Sequence, residues 1–289
     1  MSKLVRCISD DGTLMIMAAD TSDIVFEAQK IHSTSKVCTA AMGRLLTAAV
    51  MMGSMLKGDN DSLTLRINGN GPCGSVIAVC DSHGRAKSYI SDGNVELPLN
   101  KKGKLDVGAA VGTDGSLTVI KDLGLSEPYV GQVPIVSGEI AEDITSYYAT
   151  SEQTPTVCAL GVLVNPDKTV AYAGGFMIQL LPTAADDTID KVERCIKDIK
   201  SVTDMMKEGL TPEQICHTVL PEFNIEVLDE QEPVYECNCS REKVIRAIIS
   251  AGKDELLDMA KDKETKVKCH FCNKEYTFTS DEIKKLAES

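Results

Sequence analysis

Tryptophan is absent from this 289-residue chain, histidine occurs four times, and aromatic residues make up only 4%. So few rings leave no platform on which single-stranded bases could stack. Long apolar runs are missing too. The longest, Leu45 to Leu56, is 12 residues between Arg44 and Lys57, whereas a membrane span needs about 20. The stretch reads as a buried helix, and no membrane partner is expected. Positive charge is in deficit, with 30 Lys and Arg against 43 Asp and Glu and a net charge of −13. An acidic surface repels phosphate backbones, so no nucleic-acid partner is expected. No G-x-x-x-x-G-K loop occurs, which leaves no sign of a nucleotide cycle.

What is present is ordinary globular material, 43% apolar and 25% charged, enough for one large domain and a small one. No apolar stretch follows MSKLVR as it would in a secretory leader. Eleven cysteines without such a leader point to a reducing cytoplasm rather than to a disulfide-stapled domain.

Charge and cysteine divide the chain. Residues 181–236 carry 14 acids and 5 bases, while residues 237–289 carry 10 and 11. Cys7, Cys38, Cys73, Cys80, Cys158, Cys195 and Cys216 are scattered singly, but Cys237, Cys239, Cys269 and Cys272 crowd into the last 53 residues. We expect an α+β fold in three parts: a mixed sheet-and-helix core over 1–181, an acidic helical linker over 182–233, and a small metal-binding domain over 234–289.

Local patterns fill in the elements. Leu63, Leu65 and Ile67 alternate in SLTLRIN, a strand, and SVIAVCD and AKSYI follow it across turns as an antiparallel meander. Ser35 to Lys57 reads as helix throughout, and Gly138 to Thr150 as a second, amphipathic one. GGFMIQLL closes the core as a strand. Ile189, Val192, Ile196, Ile199 and Met206 recur at helical spacing among many charges. Thr211-Pro212-Glu213-Gln214 is a capping box with proline at the first helical position. These helices have narrow apolar faces and need a surface to dock on. In the tail, Ser240 caps a helix that Gly252 ends, strands KVKC and EYTFT flank a knuckle, and Ser280 opens a last helix.

Cys237-Asn-Cys239, 29 residues, then Cys269-His-Phe-Cys272 is the strongest chemical signal. Two close thiolate pairs make the ligand set of a tetrahedral zinc, with Zn–S near 2.3 Å. Soft sulfur selects zinc or an iron–sulfur centre over magnesium or calcium. Four sulfurs leave no open coordination position for catalysis, and no H-x-E precedes the C-x-x-C as in a zinc deaminase. His270 lies between two ligands and should point away. A tail this short needs such a staple to fold. The same thiolates are also what oxidants attack, so the site is either a permanent staple or a redox switch, and spacing alone favours the staple.

Other patterns are weaker. Gly69-Asn-Gly71-Pro-Cys-Gly74 satisfies G-x-G-x-x-G but leads into a strand rather than a helix, so it reads as a hairpin turn and not a dinucleotide site. His83 is a turn histidine. Cys216 and His217 are adjacent on a helix and cannot face each other. Glu142 and Asp143 read as a solvated helix face, and Met51, Met52 and Met55 as core.

The ordered set SKVCTAAMGRLLTAA, LTLRINGNGPCG, DSHGRAKSYI, SGEIAEDITSYYATSEQTPT and GGFMIQLLP, with C-N-C-S-R-E-K-V and C-H-F-C-N-K-E-Y, resembles the heat shock protein 33 family over nearly the whole chain. That family comprises redox-regulated holding chaperones of the bacterial cytosol and some organelles. The resemblance implies that Cys237, Cys239, Cys269 and Cys272 hold one zinc in a reduced, inactive state. It further implies that oxidation forms Cys237–Cys239 and Cys269–Cys272 disulfides and expels zinc. The tail and linker then unfold, the protein dimerises, and unfolding client proteins are bound without ATP. No catalysis of an enzyme's kind is implied. Cys195 and Cys216 lie in the linker, and with Cys7, Cys38, Cys73, Cys80 and Cys158 they fall outside the four-cysteine motif; all seven read as small buried hydrophobes, with further disulfides open once the linker lifts. Two rivals remain: a constitutive zinc-ribbon adaptor for a protein or RNA partner, and an enzyme using the Gly69–His83 region.

Overall fold

Residues 35–57 hold the most apolar part of the chain, and they fold into its most enclosed helix. The protein was analysed as a computed structural model that describes residues 1–288. Ser35 caps helix α2 (Lys36–Gly53) by accepting a hydrogen bond from the Cys38 amide. The helix ends at Gly53 rather than Lys57, because the next residues tighten into i to i+3 turns, with the Met55 and Leu56 amides donating to the Met52 and Gly53 carbonyls. Being apolar all round, α2 has no face for water. Two sheets enclose it.

The first sheet has five antiparallel strands in the order β10 (Ile225–Gln231), β1 (Lys3–Ser9), β2 (Leu14–Asp20), β9 (Val170–Leu180), β8 (Thr156–Val164). The second has six: β11 (Val234–Tyr235), β5 (Arg85–Ile90), β4 (Val76–Asp81), β3 (Ser62–Asn68), β6 (Ser116–Asp122) and β7 (Tyr129–Pro134). Among the described residues only the β11–β5 pair is parallel. The meander read from SLTLRIN onward is β3–β4–β5, and the closing strand of the core is β9. Helix α1 (Ser22–His32) lies beside α2, and short α3 (Val107–Val111) follows β5.

Strand alternation gives the five-stranded sheet two apolar faces. Leu4, Met17, Ala19 and Met177 join α2 in one core, while Val5, Cys7, Leu14, Ile16, Ala18, Phe176 and Ile178 belong to another. That second face is roofed by α5 (Asp186–Ile196), α6 (Val202–Lys207) and α7 (Pro212–Val219), which contribute Val192, Val202, Met205, Met206, Ile215, Cys216 and Val219. The dock that these charged helices require is thus the sheet itself. The capping box opens α7 as its residues indicate, with the Thr211 amide donating to Gln214 Oε1 at 2.9 Å and the Gln214 amide donating to Thr211 Oγ1 at 3.3 Å.

Two local readings are corrected. The acidic segment is not all helical, because Ile225–Gln231 is a strand paired with β1. Its acids hide the alternation in sequence, yet Asp229 meets Arg6 and Glu230 meets Lys3 across the pair, a cross-strand charge match no local pattern reveals. The helix expected over Gly138–Thr150 is α4 (Ala141–Tyr147), continued by a π-helical turn at Tyr148–Glu152. It starts late because Asp143, fully buried, accepts from the amides of Val136, Ser137 and Ile140 at 2.7, 3.1 and 2.9 Å. Asp143 therefore belongs to the backbone turn rather than to a solvated face.

Met1–Tyr235 forms one compact unit and Glu236–Ser289 a second. The second unit holds α8 (Arg241–Ile249), α9 (Lys253–Met259), a hairpin of β12 (Glu264–Lys268) and β13 (Glu275–Thr279), and α10 (Ser280–Glu288). Among the described residues no helix is long and apolar enough to cross a membrane.

The glycine-rich turn after β3 is a backbone contact. A Cβ on Gly69 would fall 2.0 Å from the Gly112 carbonyl oxygen, and one on Gly71 2.4 Å from the Val111 carbonyl carbon. Gly69→Ala is therefore expected to destabilise the larger unit by about 3 kcal/mol or more in urea unfolding. Gly12→Ala, with open space around it at φ +66, should cost only about 1 kcal/mol.

Candidate metal centre

The smaller unit has little to hold it together. Its buried apolar residues are Val244, Ile248, Leu256, Ala260, Tyr276, Phe278, Ile283 and Ala287. A core of that size leaves a free-standing domain marginal. Cys239 and Cys269 pack at its edge.

Each sulfur is aimed by local structure. Cys237 and Cys239 lie on the irregular segment leading to α8, whose N-cap Ser240 accepts from the Lys243 amide at 3.3 Å and so fixes the backbone beside Cys239. Cys269 and Cys272 occupy the turn that closes β12–β13. There the Cys269 amide donates to the Lys274 carbonyl and the Asn273 amide to the Cys269 carbonyl, each at 2.9 Å, with Asn273 at φ +60. Folding brings the four sulfurs within 4.8 Å of one another, where they could hold a metal ion. Cys237 Sγ is 3.7 Å from Cys269 Sγ, and Cys239 Sγ is 3.4 Å from Cys272 Sγ. Backbone amides of Cys239 and Lys274 add hydrogen bonds to the sulfurs of Cys237 and Cys272.

The sulfurs differ in acidity. Burial pushes the Cys237 thiol up to about 12 and also raises Cys272. Burial acts the same way on Cys239, but hydrogen bonds from the Tyr276 hydroxyl and the neighbouring cysteines outweigh it and hold this thiol at about 7. The Tyr276 hydroxyl reaches Cys239 Sγ at 3.1 Å. Sequence reading passed over this tyrosine. Alternation in EYTFT does place Tyr276 and Phe278 on one buried face, but the reach to a cysteine 37 residues away comes only from the fold.

The remaining candidates do not assemble a site. His270 is exposed between its two cysteines. His83 places Nε2 3.1 Å from the Asp59 carbonyl oxygen in an exposed turn. Cys216 is buried while His217 points outward. Glu142 shares no polar cluster with Asp143, whose carboxylate is taken up by backbone amides. Met51 and Met52 are core. Cys73 and Cys158 are each pushed up to about 12 by burial, and Cys38 and Cys80 are raised by it too. These thiols stay protonated and unreactive at neutral pH. Cys7 of β1 and Cys216 of α7 are both buried in the core beneath the helices.

Known proteins share this arrangement of chain. A family model described as Hsp33 protein matches residues 2–279. The 33 kDa chaperonin of Clostridium perfringens is 49% identical over 288 residues, 99% of this chain and 91% of that one. A 33 kDa chaperonin of Agathobacter rectalis is 48% identical over 284 residues, 98% of each chain. The crystal structure of the 33 kDa chaperonin, a heat shock protein 33 homolog, from Thermotoga maritima superposes with a TM-score of 0.89 at 36% identity, covering 99% of this chain and 97% of that one.

If the four sulfurs act as one ligand set, protein purified under reducing conditions carries about one equivalent of bound metal. Replacing any of Cys237, Cys239, Cys269 or Cys272 by serine should drop that content to near zero by elemental analysis, while Cys80→Ser leaves it unchanged.

Proposed function

The chain belongs to the Hsp33 family, and we propose that it is a redox-regulated, ATP-independent holdase that binds unfolding proteins under oxidative stress. The observation that carries this reading is the convergence of four cysteine sulfurs within 4.8 Å in a chain whose relatives are named chaperonins.

Zinc is the metal proposed for the site. Tetrahedral thiolate coordination at about 2.3 Å sets sulfurs about 3.8 Å apart, and the separations of 3.7 and 3.4 Å support that fit. Bound zinc would hold the four sulfurs as thiolates and supply folding free energy that the small core lacks.

Oxidation then acts on the ligands. One thiolate of a pair attacks peroxide, forming an S–O bond as the O–O bond breaks and hydroxide departs. Its partner attacks the resulting sulfenic acid, forming S–S and releasing a second hydroxide. Each pair gives two electrons to one peroxide, and the metal keeps its oxidation state while losing its ligands. The proposed products are the Cys237–Cys239 and Cys269–Cys272 disulfides. In the folded site the cross-pairs Cys237–Cys269 and Cys239–Cys272 lie 3.7 and 3.4 Å apart; the sequence-near pairing is the one the family resemblance implies, and its short loops close at the smaller entropic cost as the tail opens.

Loss of the ligands unfolds the tail, and residues 182–233 serve as the linker that responds. Their helices α5, α6 and α7 roof an apolar sheet face bearing Val5, Leu14, Ile16, Phe176 and Ile178, and lifting them would present that face to client proteins. The active form is proposed to be a homodimer working in the cytoplasm, with neither nucleic acid nor membrane as partner. The net charge of −13 supports solubility of a partly unfolded chaperone.

The test dilutes a chemically unfolded client into buffer and follows light scattering with reduced protein or protein treated with peroxide at elevated temperature, while a chelating dye reports free zinc. Only the oxidised sample should suppress aggregation, with zinc appearing alongside. Zinc that stays bound, with equal scattering in both samples, would instead identify a permanent staple and an adaptor role.

A further inference from the structure

Second contacts to a metal ligand hold it in place and adjust how it reacts. Tyr276 makes such a contact. Its hydroxyl donates to Cys239 Sγ at 3.1 Å, and its ring is buried. Tyr276 is 7% exposed, its residue pairs with Val267 across the β12–β13 hairpin, and Lys274 Nζ stands 5.3 Å from the ring centroid. Cys239 is fixed from the other side by the Ser240 cap of α8. One hydroxyl thus ties the N-terminal ligand pair to the hairpin that carries the C-terminal pair.

We propose that Tyr276 is a positioning residue that restrains Cys239 and slows its oxidation, so that the hydroxyl sets the oxidant threshold of the switch. The inference rests on the redox reading given above. The attack on peroxide uses a sulfur lone pair, which forms the S–O bond as the O–O bond breaks and hydroxide leaves. An O–H donor engaged with that sulfur withdraws density from the lone pairs and occupies one of the directions of approach. The donor must be given up before or during attack. Removing it frees the lone pair and also unties Cys239 from the hairpin, and both changes favour oxidation.

The test compares wild type, Tyr276→Phe and Phe278→Leu in the full-length protein. The first variant deletes only the hydroxyl, and the second loosens the same core, where Phe278 is 1% exposed, without removing a hydrogen bond to a sulfur. Tyr276→Phe is expected to keep about one equivalent of zinc, to shift the sulfur-to-metal charge-transfer band when cobalt(II) replaces zinc, and to release zinc under peroxide about tenfold faster. Phe278→Leu should lower thermal stability while leaving the cobalt band where it is. The inference is overturned if Tyr276→Phe matches wild type in both band and release rate, or if Phe278→Leu reproduces both changes. Wild type that keeps its zinc under peroxide defeats the redox reading instead, and the cobalt band, which needs no oxidant, still decides whether the hydroxyl acts on the sulfur.

Discussion

Enclosure of α2 governs the larger unit. Only Lys36 and Arg44 of that helix are more than marginally accessible, and a helix without a polar face must be covered on every side. Strands from early, middle and late parts of the chain supply the cover. Close approach requires a smooth surface, and Gly43 and Gly53 sit where a Cβ would reach Val25 at 2.6 Å and Cys80 at 3.0 Å. Two polar side chains of the helix find partners inside. Thr47 bonds Thr21 at 2.7 Å, and Arg44 bonds Glu139 at 2.5 Å, which fastens the turn around Asp143 to the central helix.

The smaller unit obeys the opposite rule. Among the described residues its core is a cluster of eight buried apolar side chains, with Cys239 and Cys269 packed against it. A body sealed by hydrophobic burial responds to heat and denaturant, whereas a tail closed by metal-bound sulfurs would respond also to anything that changes the state of sulfur.

Legibility followed the range of the interactions. Strands β3, β4 and β5, helix α2 and the Thr211 capping box rest on periodicity and capping within a few residues, and all could be read directly. The pairing of Cys237-x-Cys239 with Cys269-x-x-Cys272 was legible because close cysteine pairs have few other uses. Strand β10 was hidden because its partner charges, Lys3 and Arg6, lie more than two hundred residues away. The delayed start of α4 was hidden because Asp143 bonds amides upstream of it instead of facing water. Tyr276 was hidden for a related reason: a hydroxyl that reaches a sulfur has no sequence signature of its own.

The five-stranded sheet is apolar on both sides, and one side belongs to the core around α2. Unroofing the other side would leave that core intact beneath it. The bared surface would carry side chains in rows about 7 Å apart along each strand, since alternate residues share a face. An extended polypeptide repeats its own side chains at the same interval. A surface of this kind measures spacing rather than sequence, so its breadth of partners would follow from the pitch of a β-strand alone.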